Sequence, residues 1–180
     1  MTGNQPGFGP VLIGMRGSGK STVGPIVAGG LGFVFLDADD ELARRAGMEI
    51  PRIFEARGEE GFRALELALL EEVLEPPGRV VATGGGAVLH PAVRSILRRR
   101  FTAWLSAPLD ELARRVAGSG RPSLTGPPPE RELPELWERR HSLYRECAHQ
   151  IVDTGALPPD EAARRVIDGY RAWTGGSGPD

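Results

Sequence analysis

At 180 residues the chain is long enough for one compact domain with a real core and too short for two comfortable ones. A hydrophobic fraction of 40% and a charged fraction of 26% are ordinary for a globular protein, while a net charge of -2 argues against nucleic acid as the main partner. No apolar run reaches membrane-spanning length, the N-terminus lacks a charged-then-apolar leader, and the single cysteine, Cys147, excludes an intrachain disulfide; a cytoplasmic protein is expected.

The first nine residues and the stretch from 174 to 180 are rich in Gly, Pro and polar residues and read as flexible ends around a single domain spanning 10–173. Val11-Leu12-Ile13 is a short buried strand, followed by a glycine loop and a helix from about Lys20 to Leu31. Phe33 to Leu36 is a second strand that ends at Asp37, and a short helix near Asp40 to Ala46 follows it. A longer helix from about Glu60 to Leu74 carries Phe62, Leu65, Leu69 and Val73 on one side. Pro76-Pro77-Gly78 stops it, and Val80-Val81-Ala82 is a third strand that runs into Gly84-Gly85-Gly86. Pro91 opens another helix, Phe101 to Leu105 is a fourth strand, and Ile151-Val152 is a fifth. Short apolar strands alternating with helices mean an α/β fold of parallel βαβ units with helices on both faces of the sheet. One segment breaks the alternation. Residues 118–134 are dense in glycine and proline, and they read either as a disordered surface loop or as a lid over a bound ligand; Arg121 near its start favours the lid.

Gly14-Met15-Arg16-Gly17-Ser18-Gly19-Lys20-Ser21 matches the Walker A pattern in full, between a strand and a helix where the mechanism needs it. Its glycines let successive backbone N–H groups converge on phosphate oxygens, and the helix N-terminus adds its positive dipole end. Gly17, Ser18, Gly19, Lys20, Ser21 and Thr22 are therefore the expected nucleotide contacts, with Lys20 on the β- and γ-phosphates and Ser21 on Mg2+. Of the 22 basic residues only Lys20 is lysine; the rest are arginine. A coding bias that turned surface lysines to arginines left one compact ammonium where a planar guanidinium would not fit. Without a second lysine, the guanine-specifying Asn-Lys-x-Asp sequence cannot exist, which counts against a GTPase.

Asp37-Ala38-Asp39 stands at the carboxyl end of the second strand, where open α/β sheets place ligands. Asp37 is the metal-side candidate, acting through water, because no acid closes the third strand. Asp39 would accept a hydrogen bond from an acceptor hydroxyl, with a simple helix cap as the bland alternative. Arg63 and Glu66 are three residues apart on one helix face, and from spacing alone an ordinary surface pair is the expected reading. Gly84, Gly85 and Gly86 offer bare backbone for close ligand approach. The histidines, His90, His141 and His149, are scattered and read as structural, as does Cys147.

Taken together, Gly14 to Ser21, Phe35 to Asp39, Gly58-Glu59-Glu60-Gly61-Phe62-Arg63 with Glu66, Thr83 to Val88, Arg121-Pro122 and Leu143-Tyr144-Arg145 resemble shikimate kinase in order and spacing, over nearly the whole chain. The resemblance implies a P-loop fold of the nucleoside-monophosphate-kinase type, with a five-stranded parallel sheet of order 2-3-1-4-5 and a mobile lid. It also implies ATP-dependent phosphorylation of the 3-hydroxyl of shikimate, on the chorismate route to aromatic amino acids. By the same resemblance Lys20, Asp39 and Arg121 are catalytic, and Asp39, Arg63, Gly84, Gly85, Gly86 and Arg145 bind the acceptor, its carboxylate clamped by Arg63 and Arg145. Arg114 or Arg115 would stack on adenine; the loop length leaves the choice open, and Arg114 is counted with Arg121 among the ATP residues. Ser123 and Ser142 depart from the family pattern, in lid packing and helix geometry rather than in charge. One Mg2+ per subunit, ATP as co-substrate and a monomer with neither nucleic-acid nor membrane partner complete the expectation. A gluconate kinase of the same architecture, or an ATP-dependent regulatory module without a small acceptor, are the competing readings.

Overall fold

The computed structural model describes residues 7–118 and 129–175, with side chains from residue 132 onward in the second span. The strands are β1 (Val11–Ile13), β2 (Val34–Asp37), β3 (Arg79–Ala82), β4 (Thr102–Ser106) and β5 (Gln150–Asp153). All pair in parallel, in the order β2-β3-β1-β4-β5. Between them run α1 (Lys20–Leu31), α2 (Ala38–Ala46), α3 (Ile50–Leu74), α4 (Pro91–Leu97), α5 (Leu109–Ala117), α6 (Pro129–Cys147) and α7 (Pro159–Gly175), with a 3-10 turn at Ala87–Leu89.

Strand side chains alternate between two cores. Val11, Ile13, Val81 and Trp104 face a layer built from α2 to α6, whereas Leu12, Val80, Ala82, Ala103, Leu105 and Val152 face α1 and α7. Burial on both faces of β1, β3 and β4 explains why these inner strands read as continuous apolar runs rather than alternating ones. β1 is central, its register placing Leu12 beside Ala82 of β3 and Ile13 beside Trp104 of β4. The connection from β1 runs to β2 on one side while that from β3 crosses to β4 on the other, so a crevice opens at the carboxyl ends of β1 and β3, and β1, β2 and β3 all deliver their following loops there.

α3 begins earlier than expected. It is two helices joined at Gly58, whose φ of 68° and ψ of 178° no helix contains. The leading piece, residues 50–57, escapes periodicity because Ile53 alone among its residues is fully buried. Its partner across the break is aromatic: Phe54 stacks on Phe62 with centroids 4.2 Å apart. The ordered contacts also start before residue 10, since Phe8 O accepts a hydrogen bond from Tyr170 and the Arg100 guanidinium lies 3.5 Å from the Phe8 ring centroid. The histidines are structural. His90 caps α4, His149 accepts from the Thr102 N–H, and His141 stacks on Trp137.

Candidate active site

The loop between β1 and α1 turns at Gly17 with a φ of 82°, and a Cβ there would meet Val116 and the Leu112 carbonyl at 3.1 and 3.2 Å. The Lys20 ammonium folds back over this loop, donating to Gly14 O at 2.8 Å and Met15 O at 3.1 Å. The outer wall is bolted to the sheet. The Thr154 hydroxyl, buried just after β5, lies 2.9 Å from Ser18 O, and Arg115 donates to Gly17 O and to Thr154 O. Ser21 and Thr22 are exposed at the first turn of α1.

Arg115, then, is the α5 arginine that borders the phosphate loop. Arg114, counted above among the nucleotide residues, turns outward; its side chain is 74% exposed and is paired to Glu111. Consecutive helical residues point about 100° apart, so only one of the two can face the loop.

At the base of the loop Ser21 Oγ donates to Asp37 Oδ2 at 2.7 Å. Asp37 Oδ1 in turn accepts from the Asp39 N–H at 3.1 Å, so Asp37, rather than Asp39, caps α2. Relieved of capping, Asp39 points its carboxylate at Gly84. Burial, then the neighbouring charges of Glu66 and Asp37, push the Asp39 carboxyl up to about 6, with Lys20 acting in the opposite direction.

Around Gly84–Gly86 the charged groups converge. A Cβ on Gly84 would lie 2.6 Å from both Asp39 Oδ1 and Glu66 Oε1, and one on Gly86 would lie 2.2 Å from Arg63 Nη2. Arg63 and Glu66 are no surface pair. They are 2.6 Å apart, with side chains only 15% and 3% exposed, and the Arg63 guanidinium lies 5.2 Å from the Phe62 ring centroid. Burial raises the Glu66 carboxyl, while Arg63 and Arg140 oppose that rise. Glu66 Oε1 and Arg140 Nε are buried without a hydrogen-bond partner, and Arg63 Nε has only the Glu59 carboxylate at 3.8 Å, an arrangement that a polar ligand would complete.

The second cation of this pocket is Arg140, where the resemblance implied Arg145. Arg140 Nη1 comes within 3.6 Å of the point where a Gly85 Cβ would stand, and it lies against the buried Tyr144, whereas Arg145 is exposed. Five residues along a helix rotate the side chain by about 140°, so the two arginines cannot serve one pocket. Burial lowers the Arg140 pKa, and nearby Arg63 adds to that lowering. Gly85 joins the two halves of the site, its Cβ position being 3.5 Å from Arg16 N and Gly14 O of the phosphate loop. Arg121, Ser123 and most of the expected lid lie outside the described residues.

A nucleotide loop whose wall is also the wall of a small cationic pocket defines a P-loop kinase for a small anionic acceptor. The sequence model of shikimate kinase matches residues 16–171, and the chain belongs to that family, whose members transfer phosphate from ATP to shikimate. A shikimate kinase of Nitrosomonas europaea is 47% identical over 172 residues, 94% of this chain and 81% of the relative. The solved structure of shikimate kinase from Acinetobacter baumannii in complex with shikimate superposes with a TM-score of 0.84 at 35% identity, covering 97% of this chain and 96% of that one. A gluconokinase from Sinorhizobium meliloti, at 23% identity and a TM-score of 0.60, shares the fold.

Proposed function

We propose that the chain moves the γ-phosphoryl group of ATP to the 3-hydroxyl of shikimate, with Arg63 and Arg140 holding the acceptor carboxylate and Asp39 receiving the hydroxyl. One observation carries this reading: Arg63, Arg140 and Asp39 converge on Gly84–Gly86 immediately beside the phosphate loop. Glu66 fixes one edge of the Arg63 guanidinium and leaves its other edge to the substrate. The acceptor oxygen bonds to the γ-phosphorus as the bond to the β–γ bridging oxygen breaks, and the hydroxyl proton passes to Asp39 and then to solvent. Lys20 follows the charge of the transferring group, and Arg121 would reach it from the lid.

The residues fit Mg2+. Ser21 Oγ and Asp37 Oδ2 are hard oxygen donors side by side at the phosphate loop. No cluster of three or more His, Cys, Asp or Glu among the described residues would hold a metal unaided, as expected for an ion that shares its shell with phosphate and water. Ser21 would hold it directly and Asp37 through water; once bound, one Mg2+ per subunit supplies charge neutralisation to the phosphates. No helix among the described residues is long and apolar enough to cross a membrane, and we take the working unit to be a cytoplasmic monomer.

A coupled assay of ADP release, run with shikimate, with gluconate and with no acceptor, tests the proposal. Release that depends on shikimate supports it. Release driven by gluconate, or indifferent to any acceptor, overturns it.

A further inference from the structure

Nothing intrinsic fixes the peptide planes of a Gly-Gly-Gly segment, because without Cβ atoms each plane can flip at little steric cost. In Gly84–Gly86 every carbonyl is nevertheless tied down. Gly84 O accepts from the Ala87 N–H at 3.1 Å, Gly86 O accepts from the Leu89 N–H at 3.0 Å, and Gly85 O accepts from the Tyr144 hydroxyl. The N–H groups of Gly85 and Gly86 meet no acceptor among the described residues. The segment therefore presents donors alone to whatever anion enters the pocket.

Two of the three ties are local and belong to the turn that follows. The third crosses the molecule. Tyr144 sits on α6, fully buried, its ring stacked on Trp104 with centroids 5.6 Å apart, and Trp104 pairs in register with Ile13 at the start of the phosphate loop. Burial pushes the Tyr144 hydroxyl up to about 12, so it remains a proton donor throughout the working range. In a trans peptide the C=O and N–H point in opposite directions. A Gly85 carbonyl held toward α6 thus sends the Gly86 N–H away from α6, and the Cβ position of the same glycine lies against the Arg63 guanidinium. Arg140 comes from the same helix one turn earlier and rests against the same hydroxyl.

We propose that Tyr144 is a positioning residue for phosphoryl transfer, locking the Gly85–Gly86 peptide so that the Gly86 N–H faces the bound anion. The inference rests on the function proposed above. An acceptor oxygen that meets a fixed amide spends no binding energy on turning it, whereas a free Gly–Gly peptide must be ordered at each encounter. The role needs the hydroxyl and not the ring.

Tyr144→Phe in the full chain separates the two, because it keeps the stack on Trp104. We expect kcat/KM for shikimate to fall about 10- to 100-fold, the range of one hydrogen bond to a charged group, with KM for ATP within about twofold. In 15N-labelled protein the Gly85 and Gly86 amide resonances, sharp in the wild type, broaden in the variant as the peptide samples both orientations. A variant with unchanged shikimate kinetics and unchanged glycine resonances overturns the proposal. So does one that loses shikimate and ATP kinetics in equal measure, since that is what a packing role predicts. A wild-type enzyme that releases no ADP with shikimate overturns the function beneath it instead.

Discussion

Asp39 and Glu66 face one another across a residue that has no side chain: the space a Gly84 Cβ would fill lies 2.6 Å from an oxygen of each. Two carboxylates in one desolvated space cannot both ionise cheaply, and Glu66 has Arg63 as its counter-ion. Burial raises both carboxyls, but among the described residues Asp39 lacks such a hydrogen-bonded partner and has Glu66 and Asp37 as further causes of its rise. In the proposed mechanism it is the group that must be ionised to receive the acceptor proton.

The pH dependence follows with a definite sign. With its carboxyl raised from 3.8 to about 6, Asp39 is protonated below that value, so kcat/KM for shikimate is expected to fall with a single ionisation near pH 6. For stability the direction is reversed. The folded chain binds this proton more tightly than the unfolded chain, so the contribution of Asp39 is fully present below about pH 4 and is lost as pH rises through 6. Asp39→Asn should therefore abolish turnover yet stabilise the fold at pH 8 by about 3 kcal/mol, a gain that shrinks toward pH 4. Urea unfolding at both pH values checks this; a destabilised variant at pH 8 would contradict it.

Gly84→Ala places a methyl group against both carboxylates at 2.6 Å, closer than real Cβ contacts come. Neither Asp39 nor Glu66 can retreat without disturbing α2 or Arg63. We expect shikimate binding to weaken by at least about 100-fold while nucleotide binding, measured by calorimetry with ADP, stays within about threefold. Equal losses for both ligands would mean that the loop as a whole had collapsed.

Thr154 holds the phosphate loop from outside, through Ser18 O, without touching the acceptor pocket. Thr154→Val removes the hydroxyl and leaves a buried carbonyl one donor short, a loss of about 1 to 3 kcal/mol. KM for ATP should rise about tenfold, KM for shikimate at saturating ATP should hold, and Thr154→Ser should restore both. Steady-state kinetics of the two variants decide it, and a serine variant as impaired as the valine one would remove the hydroxyl from the explanation.

Lys20 reaches two loop carbonyls with one compact ammonium. A guanidinium is planar, wider and fixed in its donor geometry, so Lys20→Arg is expected to lower kcat by about 100-fold or more with little change in melting temperature. Near-normal turnover would show that its isolation among arginines has no chemical meaning.

Much of the architecture could be read from the chain because its signals are contiguous. Each of the five strands has a contiguous apolar run of two or more residues, and the phosphate loop has strand, glycines, lysine and hydroxyl within a single stretch. What stayed hidden depended on which face of a helix meets which loop. Arg114 and Arg115 are adjacent in sequence, and only the packing of α5 on Gly17 separates them. Arg140 and Arg145 flank the same tyrosine on α6, and contact with Gly85, far away in the chain, selects Arg140. The Arg63–Glu66 spacing suits a solvated pair equally well, and burial under Phe54 and Phe62 makes it a site. Helix 50–57 gave little signal because one fully buried side chain sets no periodicity.

In the proposed function the Arg63–Arg140 clamp is the part of the site that selects the acceptor, and it can be interrogated by removing either charge. kcat/KM should be measured for shikimate and for its methyl ester, in the wild type and in Arg63→Ala, Arg140→Ala and Arg145→Ala. We expect the wild type to prefer the acid by about 100-fold or more, the Arg63 and Arg140 variants to lose most of that preference together with acid activity, and the Arg145 variant to match the wild type within about twofold. A preference that survives in Arg140→Ala, or disappears in Arg145→Ala, would contradict the account.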